Sequence, residues 1–227
     1  MMQRQKTRKL FYNKWPIKIE CVLKKSGTIA RVGVNETLAW VNGDSANSLN
    51  SWYWRDANKS DISEFALAFR PYENQEIRVR GEGSHFNIFV KDTALSEKII
   101  KSMEKWVSII TEPSSAEEFD FLIGHNKKVI CNTLPKGQYQ YKIYLKTKMS
   151  IDNRKKFLEW LSRYGDSYDI ATNTSKWLNH EKHWIQDPFF YAKNQHSLSM
   201  CGLYLGNNVS KIEEFIPRSK INTSCPI

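Results

Sequence analysis

Residues 77–92, IRVRGEGSHFNIFVKD, alternate in polarity on either side of a pair of glycines. A period of two is the signature of a strand with one wet face, and a glycine turn between two such runs makes a hairpin. Ile77 and Val79 fall on one face of the first strand, with Arg78 and Arg80 on the other. Beyond the Gly81–Gly83 turn, Phe86, Ile88 and Val90 form the apolar face, so His85, Asn87 and Phe89 share the wet side with the two arginines. A hairpin cannot bury its apolar side alone. Its neighbours in sequence therefore decide the fold.

Upstream, PIKIECVLKK (16–25) alternates in the same way, with Ile17, Ile19, Cys21 and Leu23 together on one side. VNGDSANSLNS (41–51) reads as a loop. In KSDISEFALAFRPY (59–72), Asp61 and Glu64 make a capping-box signature, and Pro71 stops the helix. Downstream, Asp92/Thr93 caps a helix whose stripe Leu95, Ile99, Met103, Trp106 and Ile110 runs to residue 110. A short helix follows, opened by Ser115 and Glu118 and closed by Gly124, and then a brief strand KVICN (128–132). The order strand, helix, hairpin, helix, strand predicts an α+β fold. More narrowly it predicts the ferredoxin-like or RRM-like β-α-β-β-α-β sheet with helices on one face.

The second half repeats this order loosely. It has a strand in YQYKIYLKT (139–147), a helix from a Ser150 cap to Gly165, a strand YDIAT (168–172) and a hairpin turning at Lys193–Gln195. A helix over 207–217, with Ser210 and Glu213 as capping box, closes the set. The expected organisation is a basic arm over residues 1–12, one α+β half over 13–135 and a second over 136–227, or one continuous domain.

Thirty-four lysines and arginines against 24 acidic residues give a net charge of +10, which favours a polyanionic partner. The apolar runs are too short to span a bilayer, and the N-terminus lacks a signal-peptide h-region. Cys21, Cys131, Cys201 and Cys225 are scattered without a C-x-x-C pair, which fits a reducing cytoplasmic or nuclear compartment better than a zinc ribbon or a disulfide scaffold.

Basic and aromatic side chains on one sheet face are what single-stranded nucleic acid requires, because cations hold phosphates and rings stack on bases. The candidates on the hairpin are Arg78, Arg80, His85, Asn87 and Phe89. On the strand at 139–147 they are Lys142, Tyr144 and Lys146. Lys155 and Lys156 extend the basic track, and Trp52 and Trp54 beside the polar loop are further stacking candidates. The expected function is binding of single-stranded DNA or RNA in replication or genome handling, with a small virus or mobile element as the setting and no cofactor. WLNHEKHW (177–184) spaces its histidines wrongly for a zincin, and His125 reads as a helix-end cap.

His85-Phe86-Asn87 followed by IFVK resembles the second motif of HUH-type rolling-circle replication initiators, and Tyr139-Gln-Tyr-Lys142 resembles their Tyr-x-x-Lys. That resemblance implies a metal-dependent single-stranded DNA nickase. His85 and Asn87 would then be ligands of Mg²⁺ or Mn²⁺, and Tyr139 the nucleophile. Asparagine stands where the family has a second histidine or glutamine. A further alternative is a structural protein packing against a genome or an acidic partner.

Overall fold

The computed structural model describes residues 2–44 and 54–221. The fold is mixed α+β, and the chain divides into two compact units, Met1–Asn126 and Lys127–Ile227.

The first unit contains strands β1 (Gln3–Lys6), β2 (Ile17–Val22), β3 (Ile77–Glu82), β4 (His85–Val90) and β5 (Val107–Glu112). Its helices are α1 (Ser26–Val32), α2 (Val34–Asn42), α3 (Lys59–Phe69), α4 (Thr93–Ser102) and α5 (Ala116–Gly124). The sheet order is β1-β5-β2-β4-β3, with β1 parallel to β5 and every other neighbour antiparallel. Ile17, Ile19 and Cys21 of β2 and Phe86, Ile88 and Val90 of β4 are buried against Ile29, Val34, Ile62, Phe65, Phe69 and Ile99 from the helices. One sheet face is thus the core, and a fully buried phenylalanine there contributes roughly 1.5–3 kcal/mol.

The opening hairpin forms as its alternation requires. Glu82 pairs with His85 across a two-residue turn, Gly83–Ser84, and Gly83 has φ +60°. Positive φ at the first central residue is the type II′ geometry that matches strand twist. The turn is also held from the side. Gly27 N–H donates to the Gly83 carbonyl at 3.1 Å, and Leu23 N–H donates to the Ser84 carbonyl at 3.0 Å. The start of α1 therefore lies backbone to backbone on the hairpin. This contact is possible only because Gly27 and Gly81 have no Cβ, since a Cβ on Gly81 would sit 2.1 Å from the Gly27 carbonyl oxygen.

The second unit contains strands β6 (Lys128–Cys131), β7 (Tyr141–Leu145), β8 (Tyr168–Ile170), β9 (Phe189–Ala192) and β10 (Val209–Pro217). Its helices are α6 (Ile151–Ser162), α7 (Thr172–Leu178), α8 (Gln195–Leu205) and the short α9 (Arg218–Ile221). The sheet order is β6-β10-β7-β9-β8, with β6 parallel to β10 and the rest antiparallel. Tyr141, Ile143, Leu145, Phe190 and Ala192 pack on Phe157 and Leu161 of α6, Trp177 and Leu178 of α7, and Cys201 and Leu205 of α8.

Written by position, both sheets have the same order. An edge strand lies parallel to the fourth of the remaining four strands, and those four run fourth, first, third, second. The loose repetition in the sequence therefore has a counterpart in connectivity, although five segments differ from the expectation. Residues 107–112 are a strand, because the helical stripe ends at Met103 and the β-branched Val107, Ile109, Ile110 and Thr111 continue as β5. Residues 209–217 are strand β10 and not a helix, and 195–205 are helix α8, capped by Asn194, rather than the second arm of a hairpin. KVIC pairs with β10, so it belongs to the second sheet. The N-terminal arm is strand β1 over residues 3–6, with Arg4 held to Glu112 at 2.7 Å.

The caps at Asp92, Ser115 and Ser150 accept from the backbone N–H of Leu95, Glu118 and Asn153, as their spacing predicts. The cap of α3 is Asn58, which accepts from Ser60 and Asp61 N–H, and not Asp61 itself.

Candidate nucleic-acid interface

In each unit the helices cover one sheet face, so the candidate residues on the strands belong to the other. The two outer faces match in register and differ in chemistry. On the first, Lys18 and Glu20 of β2 stand opposite Phe89 and Asn87 of β4. On the second, Lys142 and Tyr144 of β7 stand opposite Tyr191 and Phe189 of β9. Lys142 thus occupies the place of Lys18 and Tyr191 that of Phe89, while two aromatics, Tyr144 and Phe189, replace Glu20 and Asn87.

The face of the first unit is satisfied internally. Phe89 is only 4% exposed, because Phe11 and Tyr12 cover it at ring distances of 5.5 and 5.0 Å. Those two residues are fixed by the Phe11–Trp15 bridge that precedes β2. Arg78 stacks over the Tyr12 ring at 3.9 Å, and Arg80 donates to the Tyr12 hydroxyl at 3.0 Å while pairing with Glu82. Phe89 is therefore not the open stacking platform that alternation predicts, and both arginines are already engaged.

His85 is half exposed with Nδ1 3.1 Å from Glu20 Oε1, and Glu20 also accepts from Lys18 Nζ at 2.7 Å. Burial pushes the Glu20 carboxyl up, but the hydrogen bonds and charges of Lys18 and His85 outweigh it and hold Glu20 below its ordinary range. Asn87 is buried, with Nδ2 3.5 Å from the Arg80 carbonyl and Oδ1 without a hydrogen-bond partner. His85 and Asn87 do share a face, yet no group of three or more His, Cys, Asp or Glu that could hold a metal occurs among the described residues.

The face of the second unit is an aromatic surface. Phe189 and Tyr191 meet edge to face at 5.5 Å, Tyr144 lies 5.9 Å from Phe189, and Phe215 of β10 lies 6.4 Å from Tyr191. All four rings are half-buried, so each keeps part of its surface open to solvent. Lys142 Nζ sits 3.8 Å from the Phe189 ring centre and 4.8 Å from that of Tyr144, a cation held by ring quadrupoles. The Tyr144 hydroxyl donates to Glu213 Oε2 at 3.0 Å, and Lys211 reaches Glu213 Oε1 at 2.7 Å. Burial, and next the Glu213 charge, push the Tyr144 phenol well above its ordinary range, so it stays a neutral donor that fixes the ring.

Charge follows the same division. The second unit has 16 lysines and arginines against 8 acidic residues, a net +8, whereas the first has 18 against 16, a net +2. Most of the basic excess therefore travels with the aromatic sheet.

Tyr139 is 6% exposed and stacks on Tyr191 at 6.0 Å. Strand β7 begins at Tyr141, so alternation does not extend to Tyr139, and its ring lies on the face that carries Lys142. Like Phe11 and Tyr12 over Phe89, it is an aromatic laid on β9 by the segment entering β7, but Tyr191 stays half-buried where Phe89 is covered. His85 and Asn87 belong to the first unit and Tyr139 to the second. Tyr139 is thus accounted for by packing, as a roof.

Lys146 is exposed just beyond β7. Lys155 and Lys156 are exposed on α6, whose Phe157 and Leu161 pack on the core face, so these lysines lie across the sheet from Lys142 and do not prolong its track. Trp54 is core, 3% exposed and stacked on Trp40 at 4.6 Å, while Trp52 lies outside the described residues. His125 caps its helix, with Nδ1 2.9 Å from the Phe121 carbonyl oxygen. Burial raises the thiols of Cys21 and Cys201 to about 12, which leaves them protonated and unreactive.

Phe189, Tyr191, Phe215 and Lys211 were not among the expected site residues. PFFYA carried a usable signal, since its alternation puts aromatics on both faces of a strand and only one face can be core. No helix among the described residues is long and apolar enough to cross a membrane. Compared with protein-family models, curated proteins and solved structures, the chain matches none.

Proposed function

We propose that the protein binds single-stranded nucleic acid on the outer face of the second sheet. The observation that carries this reading is the cluster of Tyr144, Phe189 and Tyr191 around Lys142, on β7 and β9, which are adjacent in the sheet. The strand order fourth, first, third, second supports the ferredoxin-like or RRM-like description of both units. In RRM sheets two or three bases stack on strand aromatics, and the sugar-phosphate chain is held by neighbouring cations.

The division of labour is electrostatic as well as aromatic. Lys142 beside the rings and the exposed Lys146 and Lys182 are cations that phosphates can approach. The first unit, with its covered Phe89 and paired arginines, serves as a structural partner domain in this reading. Neither a cofactor nor a metal is required.

The test is equilibrium binding of a fluorescent eight-nucleotide strand across a salt series. With three phosphates neutralised, log K falls against log salt with a slope of about −2. Retention that is absent at low salt, or binding that is independent of salt, contradicts the proposal.

A further inference from the structure

A cleft of about 500 Å³ opens beside Phe189 in the second unit, within the size range of small-ligand sites. Its other lining groups include Asn173 of α7 and Lys182, Trp184, Gln186 and Asp187 of the segment leading to β9. Trp184 is 71% exposed, an unusual position for the most costly side chain to leave in water. Ile185, 7% exposed, anchors the segment in the core between Trp184 and Gln186, so the rim on either side is held in place. Asp187 adopts φ +50°, in the left-handed region that aspartate enters more readily than most residues other than glycine. Among the described residues, no hydrogen bond or ion pair holds the side chains of Asn173, Lys182, Gln186 or Asp187.

The cleft and the aromatic sheet meet at Phe189, which lines the one and belongs to the other. The Phe189 N–H is fixed by Thr174 Oγ1 at 2.9 Å, and the Asp187 charge is near enough to Tyr144 to add to the upward push on that phenol. A strand lying on Tyr191 and Phe189 would therefore present its next base to the cleft. The groups there match a base and its phosphate: a broad indole for the ring, an ammonium for the phosphate, and acceptor oxygens on Asp187 and Gln186. A carboxylate accepts from the amino group of cytosine, and thymine has no amino group to give.

Resting on the binding reading above, we infer that this cleft is a base-selective subsite, which takes one unstacked nucleobase against Trp184 and favours bases with an exocyclic amino group. Selectivity then comes from the loop, while the sheet supplies sequence-tolerant affinity.

The test compares oligo-dC and oligo-dT of eight nucleotides, two weakly self-stacking pyrimidines, with the full-length protein. The wild-type protein binds dC about fivefold or more tighter than dT. Trp184→Ala, which removes an exposed ring and no core contact, weakens dC binding about tenfold, within the range for one stacked base. Asp187→Gly suits the positive φ and brings the dC/dT ratio to about one. The ratio is the readout, because removing a negative charge raises affinity for both strands alike. Equal binding of dC and dT by the wild-type protein, or a Trp184→Ala protein with unchanged affinity, overturns the subsite while the sheet reading stands. Failure of both strands to bind the wild-type protein overturns the two together.

Discussion

Phe189→Ala lowers affinity for a single-stranded octanucleotide by about tenfold, and Tyr144→Ala/Phe189→Ala by a hundredfold or more. Each lost base–ring contact costs about 1–3 kcal/mol. Phe189 is central because it touches Tyr144, Tyr191 and Lys142 at once, so its removal takes away a platform and loosens the cation beside it. Tyr144→Phe is the control that separates stacking from hydrogen bonding. It keeps the ring and removes only the donor to Glu213, so binding stays within about twofold of wild type. The first unit supplies a second control. Phe89→Ala, beneath Phe11 and Tyr12, lowers stability by roughly 3–5 kcal/mol as buried phenylalanines do, without a direct effect on binding by the folded fraction. Anisotropy titrations paired with thermal melts of each variant distinguish the two. Equal losses of affinity from Phe89→Ala and Phe189→Ala in fully folded proteins would place the interface on the wrong sheet.

Gly81→Ala has the largest expected effect on the fold. The added Cβ would lie 2.1 Å from the Gly27 carbonyl oxygen and 2.6 Å from Gly27 Cα. Both are main-chain atoms with no rotamer to move, so α1 must separate from β3. That separation endangers the Gly27 N–H to Gly83 bond and the Ser26 hydroxyl bond to the Ser84 carbonyl, 3.1 Å each. Overpacking costs about 1–3 kcal/mol and more where backbone is displaced, against a typical domain stability of about 5–15 kcal/mol. Gly83→Ala is the comparison. Its Cβ would meet nothing within 4 Å, so only the strain of φ +60° is paid, about 1–2 kcal/mol. Hydrogen exchange followed on peptides covering β2 and β4 should show much faster exchange in Gly81→Ala than in Gly83→Ala. Similar exchange in the two variants would refute the packing argument.

The hairpin at 77–90 was legible because its period-two pattern, its glycine turn and its flanking cap at Asp92 all agree. Where signals of different range compete, sequence reading fails. Leu95, Ile99 and Met103 set a helical stripe that Trp106 and Ile110 happen to continue, yet the chain leaves the helix at Met103 and pairs β5 with β2. Ser210 and Glu213 have capping-box spacing inside a strand, and what decides the matter is the pairing of β10 with β6 and β7, which is non-local.

The site was half legible for the same reason. Alternation placed Lys142 and Tyr144 on the outer face, as observed. It could not reveal that Phe11 and Tyr12 close over Phe89, or that Phe189 and Tyr191 arrive beside Lys142 from 47 residues or more away along the chain. Coverage of a face is a tertiary property, and aromatic residues on strands read alike whether roofed or open.

Photocrosslinking of a single-stranded oligonucleotide to the full-length protein, with adducts mapped by peptide, tests the central claim most directly. Adducts are expected at Tyr144, Phe189 or Tyr191, competed away by unlabelled strand and by salt. Adducts confined to residues 78–89 of the first unit, or no competable adduct at all, would contradict it.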